Sequence, residues 1–176
     1  ISKHGDKSFS SLISCFHYQN KKVKALIAGY KFRYILDLEK LLASLLTRAL
    51  KESGLAPELN SQYIVTFVPL HKRRKRERGF NQAERLASLV AKAQVIKIVG
   101  ALERIKFSRP QSELNRKERL ENLKGHFRAK NQSALSNKSV ILIDDVCTTG
   151  STLNECSKQL INAGAKKVVA LVLAKA

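Results

Sequence analysis

Two adjacent acids and a hydroxyl-rich turn late in the chain are the residues best suited to chemistry. Asp144 and Asp145 follow the apolar run 140–143, and after them come Val146, Cys147, Thr148, Thr149, Gly150, Ser151 and Thr152. Carboxylates bind hydroxyls or metal ions, and a small polar turn that opens a helix directs N–H groups and hydroxyls at an anion. A ribose 5-phosphate meets both requirements. Either half alone is more typical of a helix cap or a solvated turn.

The second candidate is a basic stretch that follows the apolar run 63–68. Seven of the eight residues from His71 to Arg78 are Lys, Arg or His. We interpret the stretch as a loop over the same sheet edge as the acid pair, because it lies between a predicted strand and a predicted helix. Its cations would bind further phosphates of a polyanion or form an exposed surface for nucleic acid, and the sequence leaves both open. The candidate nucleic-acid contacts are Lys72, Arg73, Arg74, Lys75, Arg76 and Arg78.

The third candidate is the polar segment 108–122, which contains Arg109. Its composition predicts a long loop with some helical content, and long loops in compact domains are usually functional or disordered. Basic side chains in such a loop would close over a pyrophosphate and neutralise the charge of the leaving group. Spacing alone favours an exposed amphipathic segment with i, i+4 charge pairs.

The elements that must position these residues alternate between strands and helices. Apolar patterns predict strands over 9–18, 63–68, 140–143 and 167–173, one or two short strands within 95–105, and helices over 23–30, 38–50, 81–91 and 153–163. This order predicts an α/β fold with a parallel sheet flanked by helices. We expect a small N-terminal region of a strand and helices, residues 1–58, packed on a core of residues 59–176.

Composition narrows the class of protein. The chain has 176 residues, and 33 Lys and Arg against 14 Asp and Glu give a net charge of +19, which favours anionic partners. Cys15, Cys147 and Cys156 are widely spaced and odd in number, which favours a reducing cytoplasm over a disulfide framework. No apolar run is long enough to span a bilayer. The chain starts at Ile1 and contains no Met, so we expect its natural start to lie upstream.

These motifs together resemble those of the ComF family of bacterial competence-associated, phosphoribosyltransferase-like proteins. The similarity runs from about Phe9 to Leu173. It is carried by Gly29–Phe32, Val68–His71, Arg76–Gln82, Asp144–Asp145 and Thr148–Thr152, with Arg109, Gln111, Leu114, Arg119 and Asn122 between them. The string Arg78-Gly79-Phe80-Asn81-Gln82 is what distinguishes this group from the base-salvage phosphoribosyltransferases.

The resemblance implies a type I phosphoribosyltransferase fold that binds 5-phosphoribosyl 1-pyrophosphate with Mg²⁺. By that resemblance the two acids hold the ribose hydroxyls, and residues 148–152 hold the 5-phosphate, with Val146 and Cys147 counted among the ligand-binding residues. Segment 108–122 with Arg109 would be a flexible lid. The pyrophosphate loop would consist of Pro69, Leu70, His71 and Lys72. Relatives of this kind handle incoming single-stranded DNA in the cytoplasm beside DNA-processing proteins, which implies a role in DNA uptake.

The sequence departs from the family pattern in its cysteines. Members usually carry an N-terminal four-cysteine zinc ribbon, whereas only Cys15 lies in the first half of this chain. We therefore expect no zinc site within these residues: the ribbon lies upstream of Ile1, or this member lacks it. Two functions stay open, a phosphoribosyl-binding protein that handles single-stranded DNA and an active transferase acting on a nitrogen acceptor. No segment identifies an acceptor base.

Overall fold

The structure is a computed structural model that describes residues 8–32, 37–55, 62–107 and 123–176. The strands are β1 (Ser11–His17), β2 (Tyr63–Phe67), β3 (Lys97–Ile98), β4 (Leu102–Arg104), β5 (Phe127–Ala129), β6 (Ser139–Cys147) and β7 (Lys167–Lys175). The α-helices are α1 (Lys21–Phe32), α2 (Asp37–Leu50), α3 (Lys72–Arg78), α4 (Gln82–Gln94), α5 (Gln132–Leu135) and α6 (Ser151–Asn162). A π-helical turn, Lys51–Leu55, follows α2 and contains Gly54 at φ 79°.

Five strands form one sheet in the order β1-β7-β6-β2-β3, and all of their pairings are parallel. The central strand β6 pairs with β2 on one side, from Tyr63↔Ser139 to Phe67↔Ile143, and with β7 on the other. The structure thus confirms the predicted parallel α/β sheet. The carboxyl ends of β1, β2 and β6 meet at one edge, where open sheets of this kind bind their ligands.

Alternate residues of β6 enter two different apolar clusters, as the two-residue period of a strand requires. Val140 and Leu142 pack with the face covered by α6, through Leu153, Cys156 and Leu160. Ile141 and Ile143 pack on the opposite face with Leu42 and Leu46 of α2 and Leu86 and Val90 of α4. With helices on both faces, the strand is apolar over four consecutive residues.

The N-terminal elements share the second apolar cluster. Val23, Ile27 and Tyr30 of α1 belong to the same buried group as α4 and β6, and β1 pairs with β7 in register from Ser11↔Val169 to His17↔Lys175. The predicted boundary between residues 58 and 59 lies outside the described residues, so the division of the chain at that point stays a prediction.

A separate pair of antiparallel strands, β4 and β5, packs on the α6 face of the sheet through Leu102 and Phe127. Glu103 of β4 forms ion pairs with Arg128 of β5 and with Lys130 just beyond it. Strand β4 was predicted within residues 95–105, whereas β5 was not. The sequence of β5, Phe127-Arg128-Ala129, contains no apolar run of the kind that indicates a strand.

Candidate functional site

A cavity of about 330 Å³ opens at the carboxyl edge of the sheet. The segments that follow β1 and β2, the end of β6, and helices α3, α4 and α6 all contribute to its wall. The residues that line it are Tyr18, Val68, Pro69, Leu70, Arg74, Arg78, Asn81, Gln82, Ala83, Arg104, Leu123, Asp144, Asp145, Val146, Thr148 and Thr152. The acid pair, part of the hydroxyl-rich turn and part of the basic segment thus share one cavity.

The acid pair lies on a part of β6 that extends beyond β2. Pairing with β2 ends at Ile143, whereas pairing with β7 continues from Asp144↔Val172 to Cys147↔Lys175. The strand therefore runs further than the predicted 140–143. Both carboxylates are half-buried and line the cavity, and an oxygen of Asp144 accepts the N–H of Asp145 at 2.8 Å. Two carboxylates fixed on a strand in this way are suited to accept hydrogen bonds from neighbouring hydroxyls.

The predicted phosphate turn divides into residues that face the cavity and residues that shape the turn. Thr148 and Thr152 line the cavity. The hydroxyls of Thr149 and Ser151 hydrogen-bond to each other at 2.7 Å, and Gly150 has a φ of 80°. This left-handed conformation favours glycine and turns the chain into the 12-residue helix α6. Side-chain hydroxyls and a helix N-terminus therefore meet at one end of the cavity, an arrangement that suits an anion.

The turn after β2 is anchored at both of its ends. The N–H of Val68 donates to the carbonyl of Ile143 at 2.9 Å, and the carbonyl of Val68 accepts from the amide of Asn81 at 3.0 Å. Pro69 and Leu70, two of the four residues proposed for the pyrophosphate loop, line the cavity. His71 and Lys72, also predicted there, are not part of the lining.

The prediction that residues 71–78 form a loop is wrong, because Lys72–Arg78 is the helix α3. The Nδ1 atom of His71 accepts the N–H of Arg73 at 3.3 Å and caps the first turn. Gly79, at φ 78°, ends the helix by donating its N–H to the carbonyl of Lys75 at 2.9 Å. Lys and Arg have high helix propensity, and both ends of this short helix are capped.

Helix α3 distributes the predicted nucleic-acid contacts between two sides. Arg74 and Arg78 are four residues apart and line the cavity. The others are largely exposed, and two of them are held in ion pairs, Arg73 with Glu77 at 3.1 Å and Lys75 with Glu84 at 2.9 Å. The basic segment therefore contacts both the cavity and the solvent, which were the two alternatives that the sequence left open.

Arg104, at the end of β4, is a cavity residue that the sequence did not reveal. Burial lowers the pKa of its guanidinium, repulsion from Arg74 lowers it further, and attraction to Asp144 partly offsets both effects. Cations that are drawn out of water beside one another are favourable sites for an added anion. The only signal in the sequence was a single Arg after a short apolar strand pattern. Tyr18 and Gln82 were likewise not singled out as pocket residues.

Arg109 and the rest of segment 108–122 lie outside the described residues, and their role as a lid stays a prediction. Cys15, Cys147 and Cys156 are not joined by disulfides. Within the four described stretches, no group of three or more His, Cys, Asp or Glu side chains is placed to hold a metal ion. No helix in the described part of the chain is long and apolar enough to cross a membrane.

Comparison with known proteins agrees with this geometry. A model of the phosphoribosyl transferase domain family matches residues 54–176. The chain is 31% identical to Competence protein F of Haemophilus influenzae over 173 residues, which cover 97% of this chain and 75% of that protein. It is 35% identical to Competence protein ComFC of Streptococcus pneumoniae over 149 residues, which cover 85% of this chain and 61% of the relative.

A solved structure extends the similarity to the fold. The chain of the allosteric regulatory enzyme of purine biosynthesis superposes with a TM-score of 0.51 at 18% sequence identity, over 77% of this chain and 26% of that one. At this identity the likeness concerns the fold alone.

Proposed function

The chain belongs to the ComF family of bacterial competence-associated proteins with a phosphoribosyltransferase domain, and we propose that it binds 5-phosphoribosyl 1-pyrophosphate with Mg²⁺. Its fold is the type I phosphoribosyltransferase fold that the sequence predicted. One observation supports the proposal above all others: Asp144, Asp145, Thr148 and Thr152 line the same cavity as three arginines. A phosphorylated sugar with a pyrophosphate requires carboxylates that accept hydrogen bonds from its hydroxyls, hydroxyl groups that donate to its phosphate oxygens, and cations that balance its charge.

Each part of the ligand has a matching part of the wall. The carboxylates of Asp144 and Asp145 would accept hydrogen bonds from the ribose hydroxyls. The turn at Thr148–Thr152 would bind the 5-phosphate at the N-terminus of α6. The pyrophosphate would lie towards Pro69 and Leu70, with the charges of Arg74, Arg78 and Arg104 around it. Arginine suits this task because its planar, forked guanidinium donates two parallel hydrogen bonds to a phosphate.

The acid pair is compatible with magnesium. Carboxylate oxygens are ligands that Mg²⁺ prefers, and the ion usually keeps several waters and takes its other ligands from substrate phosphates. Asp144 and Asp145 would provide the protein's share of such a site. The chemistry that the ion supplies is neutralisation of pyrophosphate charge.

Calorimetric titration with phosphoribosyl pyrophosphate, with and without Mg²⁺, tests the pocket. We expect binding to the wild-type chain and its loss in Asp144→Asn with Asp145→Asn, which keeps the shape of the side chains and removes their charge. Glu52→Gln with Glu84→Gln removes two acids that do not line the cavity, and we expect this variant to bind normally. Failure of the folded wild-type chain to bind, or equal binding by the aspartate variant, would refute the proposal.

A second candidate function is phosphoribosyl transfer to a nitrogen acceptor. The observation that favours it is the partly buried cation of Arg104 in the same cavity as the acid pair, since preorganised charge in a poorly hydrated site stabilises a departing pyrophosphate. In such a reaction the bond from C1 of the ribose to the pyrophosphate oxygen breaks and a bond to the acceptor nitrogen forms. Pyrophosphate release with a panel of nucleobases tests this, and release at the background rate with every base would leave binding as the function.

We also propose that the chain handles single-stranded DNA in the cytoplasm. The net charge of +19 and the exposed side of α3 support DNA binding, and the competence names of the relatives support the role. Cysteines that are not joined by disulfides support the compartment. Binding should be mainly electrostatic and fall steeply with salt. Replacing Lys72, Lys75 and Arg76 by Ala should reduce the slope of log affinity against log salt by about two, since each cation contributes roughly 0.7 to the slope on a single strand. Lys40, Lys51 and Lys92, replaced together, are the charge-matched control, and salt-independent binding would contradict the proposal.

A further inference from the structure

Phe107 is a large aromatic side chain at the surface beside α3. It is 39% exposed and belongs to neither of the two apolar clusters of the described chain. Its ring meets that of His71 at a centroid distance of 5.4 Å and an angle of 62° between the ring planes. The guanidinium carbon of Arg73 lies over the ring, 5.0 Å from its centroid, so the ring and the cation form a cation–π pair. Packing of the core does not account for the position of this ring.

The cation of this pair remains open to solvent. The side chain of Arg73 is 64% exposed, and its ion pair with Glu77 one helical turn later holds it in place. Since Arg73 does not line the cavity, the proposed phosphoribosyl ligand does not use it. The guanidinium therefore presents a flat, charged surface to solvent beside the exposed part of the Phe107 ring.

The surroundings of the pair are strongly basic. Lys72 and Arg76 are exposed neighbours of Arg73 on α3 and offer cations for phosphates beside the cation–π pair. Nucleobases stack on aromatic rings and on guanidinium planes, whereas phosphates pair with the cations beside them. An acidic peptide would use the charges but would gain nothing from the flat surface. The ring and the cations together therefore match a single-stranded nucleic acid better than a protein partner.

We propose that Phe107 and Arg73 form a stacking site for one base of single-stranded DNA, next to the mouth of the phosphoribosyl cavity. The inference deepens the proposed DNA binding and rests on it. Aromatic residues make up only 6% of the chain, so we expect the site to stack one base rather than a run of bases. His71, which contacts Phe107, directly follows Leu70 of the cavity wall. A strand held at this point passes close to the phosphoribosyl pocket.

Fluorescence anisotropy with two 12-nucleotide probes separates stacking from charge. One probe is oligo-dT, and the other is an abasic strand with the same phosphates and no bases. Phe107→Ala should weaken binding to oligo-dT roughly tenfold, the lower part of the range for loss of one stacked base, and should leave binding of the abasic strand unchanged. Phe107→Trp should retain the affinity for oligo-dT. Arg73→Lys keeps the positive charge but loses the planar guanidinium, so it should weaken binding to oligo-dT and leave binding to the abasic strand unchanged.

Two results would overturn the stacking site. One is that Phe107→Ala binds oligo-dT as tightly as the wild type does. If the Ala variant does not fold, Phe107→Leu, which keeps the apolar volume, takes its place in this comparison. The other is that Phe107→Ala loses the same factor of affinity for both probes, which would show that the chain recognises only the charge of the strand. A wild-type chain that binds neither probe would refute the DNA proposal as well. Titration of Phe107→Ala with phosphoribosyl pyrophosphate should give the wild-type affinity, so the pocket is judged separately.

Discussion

Asn81 and Val68 are joined by a hydrogen bond of 3.0 Å in which the side-chain amide of Asn81 donates to the main-chain carbonyl of Val68. The same asparagine accepts the N–H of Ala83 at 3.1 Å and so caps helix α4. One buried side chain thus fixes the start of α4 to the end of β2. The segment between them, which contains Pro69, Leu70 and α3, is closed into a loop whose two ends are tied together.

Loss of this link should both destabilise the chain and loosen the site. We expect Asn81→Ala to lower the free energy of unfolding by about 1–3 kcal/mol, since a helix cap is lost and a buried carbonyl is left unsatisfied. Asn81→Ser keeps a capping oxygen but cannot reach Val68, and should lose less stability than the Ala variant. Urea denaturation measures both variants. Wild-type stability in both would show that the link contributes nothing.

The left-handed conformation of Gly150 can be tested against a glycine far from the site. Gly150 and Gly54 have nearly equal φ values, 80° and 79°, and neither site is crowded by an added Cβ. Gly150→Ala and Gly54→Ala should therefore both lose about 1 kcal/mol of unfolding free energy. Only Gly150→Ala should also weaken binding of phosphoribosyl pyrophosphate in calorimetry. Equal affinities in the two variants would mean that the turn does not hold the 5-phosphate.

Arg104 should contribute to binding at a cost to stability. Replacement by Met removes a cation from the cavity, and the affinity for phosphoribosyl pyrophosphate should fall roughly ten- to hundredfold, the range for a charge-assisted hydrogen bond. The free energy of unfolding should stay the same or rise, because burial and Arg74 disfavour the charge in the folded chain. Arg128→Met on the adjacent strand β5 is the control: its side chain is exposed and outside the cavity, so ligand affinity should not change. A loss of affinity equal to that in Arg104→Met would indicate a general charge effect.

The buried ring of His126 should make stability depend on pH. Burial lowers its pKa, and the charges of Arg104 and Lys106 lower it further, whereas Glu155 opposes them. Between the lowered pKa and the ordinary value of about 6.5 the unfolded chain binds more protons than the folded chain, so stability decreases as the pH falls through this range. His126→Gln should lose less stability than wild type between pH 7.5 and pH 5.5 in urea titrations. Parallel curves would assign the pH dependence to other groups.

Strong local patterns predicted the central elements of the fold and the acid half of the site. The apolar residues of β6 face helices on both sides, so the run before Asp144 has few alternatives to a buried strand. The turn at Gly150 is recognisable because small hydroxyl-bearing residues there lead directly into a helix.

The elements that sequence reasoning missed depend on contacts distant in the chain. Charge dominates the composition of α3 and predicts a loop, whereas the caps at His71 and Gly79 decide its conformation. Arg104 is ordinary in the sequence, and only the pairing of β4 with β5 and their packing on α6 carry it to the cavity. Three-residue strands have no period of their own, so tertiary structure must define them.

The pairing of β1 with β7 has a consequence for how the chain folds during synthesis. Of the pairings in the five-stranded sheet, only β2 with β3 can form before Ser139 has left the ribosome, and β1 has to wait for the final strand. A nascent chain of this length contains the basic helix α3 but not yet Asp144 or Asp145. The apolar faces of α1 and α2 are then only partly covered, because β6 and β7 are missing. The long separation between paired strands favours slow folding and makes this interval one in which association with a chaperone or another chain competes with completion of the sheet.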